Sequence, residues 1–146
     1  MTESMYSRIG GEPVLRELCE KFHALVVADE LLAELFADSG AGHVEHLTMF
    51  FVEMFGGPAR YSTEQGGIGG LYDAHLGKAI TEEQRARFVT LLLDAAEDVA
   101  LPKDAAFRET FARHIEAGSR FSAKFSQPEV LATPRPRFPA IEPWHW

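Results

Sequence analysis

The chain is constrained most by one apolar stripe that contains two histidines. His43, His46, Leu47, Phe50, Phe51 and Met54 recur at i, i+3, i+4, i+7, i+8 and i+11, the spacing that places side chains on one face of an α-helix. The pattern predicts a helix from about Gly42 to Phe55, ended by Gly56-Gly57-Pro58. It also sets a chemical problem. Two imidazoles share the face that the Leu and Phe side chains must bury, and a buried imidazole costs free energy unless its nitrogens find partners.

Other stripes have the same period. Gly10-Gly11-Glu12-Pro13 reads as a turn feeding a helix that carries Leu15, Leu18, Cys19, Phe22, Leu25 and Val26. Asp29 can cap the short piece holding Leu31, Leu32, Leu35 and Phe36, and Asp38-Ser39-Gly40 reads as a loop. Residues 59–74 read as irregular, with Gly66-Gly67-Ile68-Gly69-Gly70 giving freedom to the approach to His75. This run is no phosphate loop, since no strand precedes it and no Gly-Lys-Ser/Thr follows. Thr81-Glu82-Glu83-Gln84 fits a capping box, opening a helix with Phe88, Leu91, Leu92, Ala95 and Val99. After Pro102 a last helix carries Phe107, Phe111, Ile115 and Phe121. Ala, Leu and Glu outnumber Val, Ile and Thr, and no segment alternates with period 2. The expectation is an all-α fold of two antiparallel helix pairs.

A length of 146 residues fits one domain. Five of the eight prolines fall within Pro128–Pro143, followed by Trp144-His145-Trp146. The expected division is therefore a domain over 1–127 and an extended tail over 128–146, either docked through its aromatic end or disordered. A net charge of −8 and the absence of a basic stripe argue against nucleic acid. No apolar run approaches the ~18 residues of a membrane span, and Met1–Tyr6 lacks a signal pattern, so a cytoplasmic protein is expected. The single cysteine, Cys19, excludes an internal disulfide and a Cys-based zinc site.

The chemistry therefore falls to the histidines. Three segments each present imidazole among apolar side chains: His23 beside Phe22, His43 and His46 on the stripe, and His75 after the glycines. Several imidazoles facing aromatic walls suit a planar metal cofactor such as haem, which needs one axial nitrogen, a hydrophobic slot and a few polar groups at its open face. Zinc held by His43, His46 and His75 is the competing reading. It lacks a His-Glu-x-x-His motif and a carboxylate shell. His114 and His145 receive no role.

Ile9-Gly10-Gly11, Phe22, the Phe36 segment, Leu47-Thr48-Met49-Phe50, Phe55-Gly56-Gly57-Pro58, Tyr61-Ser62 and His75 occur in the order and spacing of the truncated haemoglobins. Over residues 6–126 the chain resembles that family, most of all its group II. The resemblance implies a globin-like two-over-two helical sandwich around haem b, with His75 as the iron ligand. It implies that Phe36 packs on the haem, that His23 and His43 are the distal ligand-stabilising residues, and that Leu47 and Phe50 line the pocket. Phe88 would stand where group II has Trp, and His23 where the family has Tyr. His46 would lie near a propionate, with Arg60, Tyr61 and Lys78 as further propionate partners because Asp73-Ala74 replaces basic residues before His75.

The implied function is reversible binding of O2 and other diatomic ligands (NO or CO) at a five-coordinate iron, with possible NO dioxygenation and an unidentified reductase. Two alternatives are a peroxidase-like enzyme using distal His, and a six-coordinate bis-His redox or gas sensor. A monomer or homodimer is expected.

Overall fold

The computed structural model describes residues 3–37 and 40–145. Seven α-helices and no strand occur among the described residues: α1 Met5–Arg8, α2 Glu12–Ala28, α3 Gly40–Met54, α4 Arg60–Gln65, α5 Gly67–His75, α6 Glu82–Glu97 and α7 Ala105–Phe125. Two 3-10 turns, Ala33–Phe36 and Pro128–Ala132, complete the elements.

The start signals in the sequence act as expected. Pro13 sits in the first turn of α2, where a missing N–H costs nothing. Asp29 Oδ1 accepts from the Leu31 and Leu32 amides at 3.1 and 3.3 Å, turning the chain into the first 3-10 piece. Thr81 and Gln84 form the reciprocal capping box of α6 at 3.0 and 2.9 Å. Asp104 caps α7 by accepting from the Phe107 amide. Of the expected loop at Asp38-Ser39-Gly40, the first two residues lie outside the described residues, and Gly40 opens α3.

α2 packs on α3 and on α6, and α6 packs on α7, which gives the expected two-over-two helical sandwich. Leu15, Leu18, Phe22 and Val26 of α2 meet Phe51 and Val52 of α3, Phe55 just beyond it, Leu92 of α6, and Phe107 and Phe111 of α7 in one core. α3 is tied to α4 by a buried carboxylate. Glu53 is 6% exposed and accepts from both the amide (2.7 Å) and the hydroxyl of Ser62.

The glycine-rich stretch departs from expectation. Residues 60–75 are almost wholly helical. Gly66, at φ +84°, ends α4 and begins α5 in the left-handed region that glycine adopts without strain. A Cβ on Gly70 would meet the Gln65 carbonyl oxygen at 1.6 Å. These glycines therefore permit a close backbone crossing, and the segment that delivers His75 is a packed helix.

The proline-rich tail docks on the helices. Phe138 lies against Tyr72 and Phe121, Arg135 pairs with Asp73, and the Trp144 ring lies near Phe50, Phe51 and Phe55. Trp146 lies outside the described residues.

Candidate functional site

The long helices leave a cavity of about 480 Å³ between α3, α5, α6 and α7. Its wall is largely aliphatic and aromatic, with Leu35, Phe36, Leu47, Phe50, Phe88 and Leu92 among its side chains. Histidines enter it from more than one side: His43 and His46 from α3, His75 from α5 and His114 from α7.

His75 is the best-defined of them. Its Nδ1 lies 2.7 Å from the Leu71 carbonyl oxygen, one helical turn back. A carbonyl can only accept, so Nδ1 carries the proton and Nε2 is left with its lone pair. Burial holds this imidazole below its usual pKa, against the opposing pull of the Leu71 carbonyl; the nearby Lys78 charge adds to the lowering. A neutral imidazole with one nitrogen committed to a carbonyl is the arrangement of a metal-ligating histidine.

His43 faces a different environment. Its Nδ1 lies 3.1 Å from Nδ1 of His23, and its ring stands 4.6 Å from that of Phe36. Burial, followed by the charges of His23, His46 and His75, pushes its pKa down to about 4. Both rings of this pair cannot donate through Nδ1, so a single proton lies between them. With Nδ1 engaged, Nε2 is the His43 nitrogen left for a ligand. His23 itself is half-buried and is not among the cavity-lining side chains; it reaches the cavity only through His43.

The other predicted site residues divide. Phe36, Leu47, Phe50, Phe88, Tyr61 and Lys78 line the cavity together with His46, which is exposed. Tyr61 is buried against Phe50, with ring centroids 5.3 Å apart, and burial pushes its phenol up to about 12. Arg60 is not among the lining side chains. Its guanidinium lies among Glu64, Glu45 and Glu12 at 2.9, 3.5 and 3.9 Å, and these carboxylates already neutralise the charge that a propionate would need. Asp73 is taken up by Arg135. Among the described residues no three His, Cys, Asp or Glu side chains gather as a metal cluster, so the zinc grouping of His43, His46 and His75 is not assembled.

Among the cavity residues that sequence reasoning missed are three with polar or aromatic side chains of consequence. His114 falls on the stripe of Phe107, Phe111 and Ile115 at i+7 from Phe107, a signal that was available. Arg85, 6% exposed, is held by Glu82 three residues earlier and by Glu116 and Ser119 of α7, and no local pattern announces the latter two. Trp144 arrives from a distant part of the chain.

A model of the bacterial-like globin family matches residues 4–117. The chain belongs to this family. A haemoglobin from the thermophilic phototrophic bacterium Chloroflexus aurantiacus superposes with a TM-score of 0.73 at 30% identity, covering 83% of this chain and 98% of that one. The group II truncated haemoglobin of Bacillus anthracis gives a TM-score of 0.75 at 21% identity over 84% and 92% of the two chains, a likeness of fold. The group 1 truncated haemoglobin of Nostoc sp. (strain MUN 8820) is 34% identical over 59 residues, 40% of this chain and only half the length of that relative. Truncated haemoglobins of both groups thus stand among its likenesses.

Membership of a globin family implies a haem cofactor, and the residues fit one. The cavity has an apolar and aromatic lining, a half-buried imidazole with its Nδ1 proton spent on a carbonyl, and Lys78 and exposed His46 on its wall for carboxylate groups. No helix among the described residues is long and apolar enough to cross a membrane.

Proposed function

We propose that this chain binds haem b and, reversibly, O2 and other diatomic ligands. The carrying observation is the Nδ1–carbonyl bond of His75, which leaves Nε2 as a fixed Lewis base in an apolar cavity. When bound, haem supplies an iron with one coordination position open to O2, NO or CO.

The chain's residues would then divide the work around it. His75 holds the iron through Nε2, and the Leu71 carbonyl keeps its ring oriented. Phe36, Leu47, Phe50 and Phe88 exclude water from the ligand side. His43 is neutral at pH 7, with its pKa near 4. In the tautomer where His23 donates through Nδ1, His43 carries its proton on Nε2 and can donate it to a polarised ligand. His23 acts as the residue that sets this tautomer. His46 and Lys78 are the candidate propionate partners.

A carbonyl partner on His75 favours ligand binding over peroxide chemistry, since a carboxylate would make the imidazole more electron-rich. Pairing of His43 with His23 through Nδ1 leaves the His43 Nε2 facing the ligand side, so the spectrum of the iron separates an open sixth position from bis-His ligation. The deciding experiment is the absorption spectrum of the purified ferrous protein. A Soret band with five-coordinate character supports the reading. A colourless protein that does not take up added haemin overturns it, and a six-coordinate ferrous spectrum lost in His43→Leu or His23→Leu replaces it with the bis-His alternative.

A further inference from the structure

One residue of the cavity wall comes from far beyond the matched globin region, which stops at residue 117. Trp144 is half-buried and lines the cavity together with Phe50, Phe51 and His114. Its backbone amide donates to the Met54 carbonyl at 2.6 Å. That carbonyl ends α3 and has no partner further along its own helix. Its indole stacks on His114 of α7, with centroids 4.5 Å apart and planes within 7°. One residue thus joins α3 to α7 across the cavity.

The segment is held along its length. Arg135 Nε and Nη2 each reach a carboxylate oxygen of Asp73 on α5 at 3.1 Å. Phe138 follows, 5.0 Å from the Tyr72 ring and 6.1 Å from Phe121. Prolines at 134, 136, 139 and 143 limit the conformations the free segment could explore, which lowers the entropic cost of docking it.

We propose that residues 133–145 form a strap that completes the cavity wall, and that Trp144 limits the size of ligand admitted between α3 and α7. The size limit rests on the haem reading above; the docking of the strap does not. A diatomic molecule can pass a half-buried indole by small side-chain motions, whereas a branched or long ligand needs the ring to leave His114.

Two measurements test this. The chain's two tryptophans are Trp144 and Trp146, so Trp146→Phe leaves Trp144 as the sole indole. In the haem-free protein, blue-shifted emission and acrylamide quenching several-fold below that of free tryptophan are expected, with quenching rising in the added Arg135→Ala variant. Emission and quenching equal to those of free tryptophan overturn the strap, whatever the outcome with haem. In the haem-loaded protein, Trp144→Ala should speed n-butyl isocyanide association by about tenfold, equivalent to about 1.4 kcal/mol of barrier, and CO association much less. Trp144→Phe should restore most of the discrimination. Equal acceleration of both ligands, or of neither, overturns the size limit. A protein that takes up no haem would sink the functional reading while the fluorescence result still decides the strap.

Discussion

On the α5 wall of the cavity, His75 stands alone with a carbonyl 2.7 Å from Nδ1; on the α3 wall, His43 meets a second imidazole at 3.1 Å. The residue type is the same, yet the partners assign opposite tasks. A carbonyl can only accept, so it freezes the His75 proton and leaves a permanent lone pair. An imidazole can give or take, so His23 leaves the His43 proton free to reside on either nitrogen. One wall presents a fixed base, suited to holding a metal. The other presents a movable donor, suited to answering a ligand whose charge varies.

The largest effect should come from removing the fixed base. Changes to the partner of a metal-ligating histidine typically cost about 10- to 100-fold in affinity, and loss of the ligand itself should exceed this. His75→Gly is expected to lose most bound haem by Soret absorbance per protein, and added imidazole should restore it. Retention of a normal spectrum would erase the contrast between the walls.

Removing the movable donor should leave haem bound and shift kinetics. A charge-assisted hydrogen bond is worth about 1.5–3 kcal/mol, so His43→Leu should raise the O2 dissociation rate by roughly 10- to 100-fold in stopped flow. An unchanged rate would mean that the α3 wall takes no part.

The same contrast should appear in acid stability. His43 titrates near 4 when folded, well below an ordinary imidazole, because burial and the surrounding imidazoles disfavour its charge. The unfolded chain binds this proton first, so stability falls as pH drops from about 6.5 to about 4 and levels off below. The loss should be on the order of 2 kcal/mol once partial solvent exposure is allowed for. Urea unfolding at pH 7 and pH 4.5 should show a smaller difference in His43→Leu than in the parent. An identical difference would place the proton elsewhere.

The smallest effect is expected from His23→Leu. Without His23 the preferred tautomer is lost but the His43 donor remains, so O2 dissociation should quicken by less than in His43→Leu. If His23→Leu matches or exceeds His43→Leu, then His23 itself reaches the ligand.

Much of this was legible in the chain. The stripes, the Thr81 capping box and the Asp29 turn depend on residues within one or two helical turns of each other, and they form as read. His75 could be picked out because it follows the glycines at the family's spacing. The glycines themselves misled, since sequence shows their freedom but not the Gln65 carbonyl that crosses Gly70. Arg60 misled for a similar reason: Glu12 and Glu45 are distant in sequence and adjacent in space. His23 looked equivalent to His43 on paper, and only the packing of α2 on α3 places one ring behind the other. Docking of the aromatic tail was one of two readings open in the sequence, but where Trp144 would dock was out of reach, because its amide partner Met54 is 90 residues earlier.

The buried Glu53 has a consequence for how the molecule opens. Its carboxylate holds the Ser62 amide, so that amide's proton is shielded by a side chain of α3 and not by a helical carbonyl. In deuterated solvent its exchange is slowed for as long as Glu53 holds it, and parting of α3 and α4 breaks that bond. Ser62 is therefore a reporter of that opening, and the neighbouring Tyr61 on the cavity wall should become accessible in the same event.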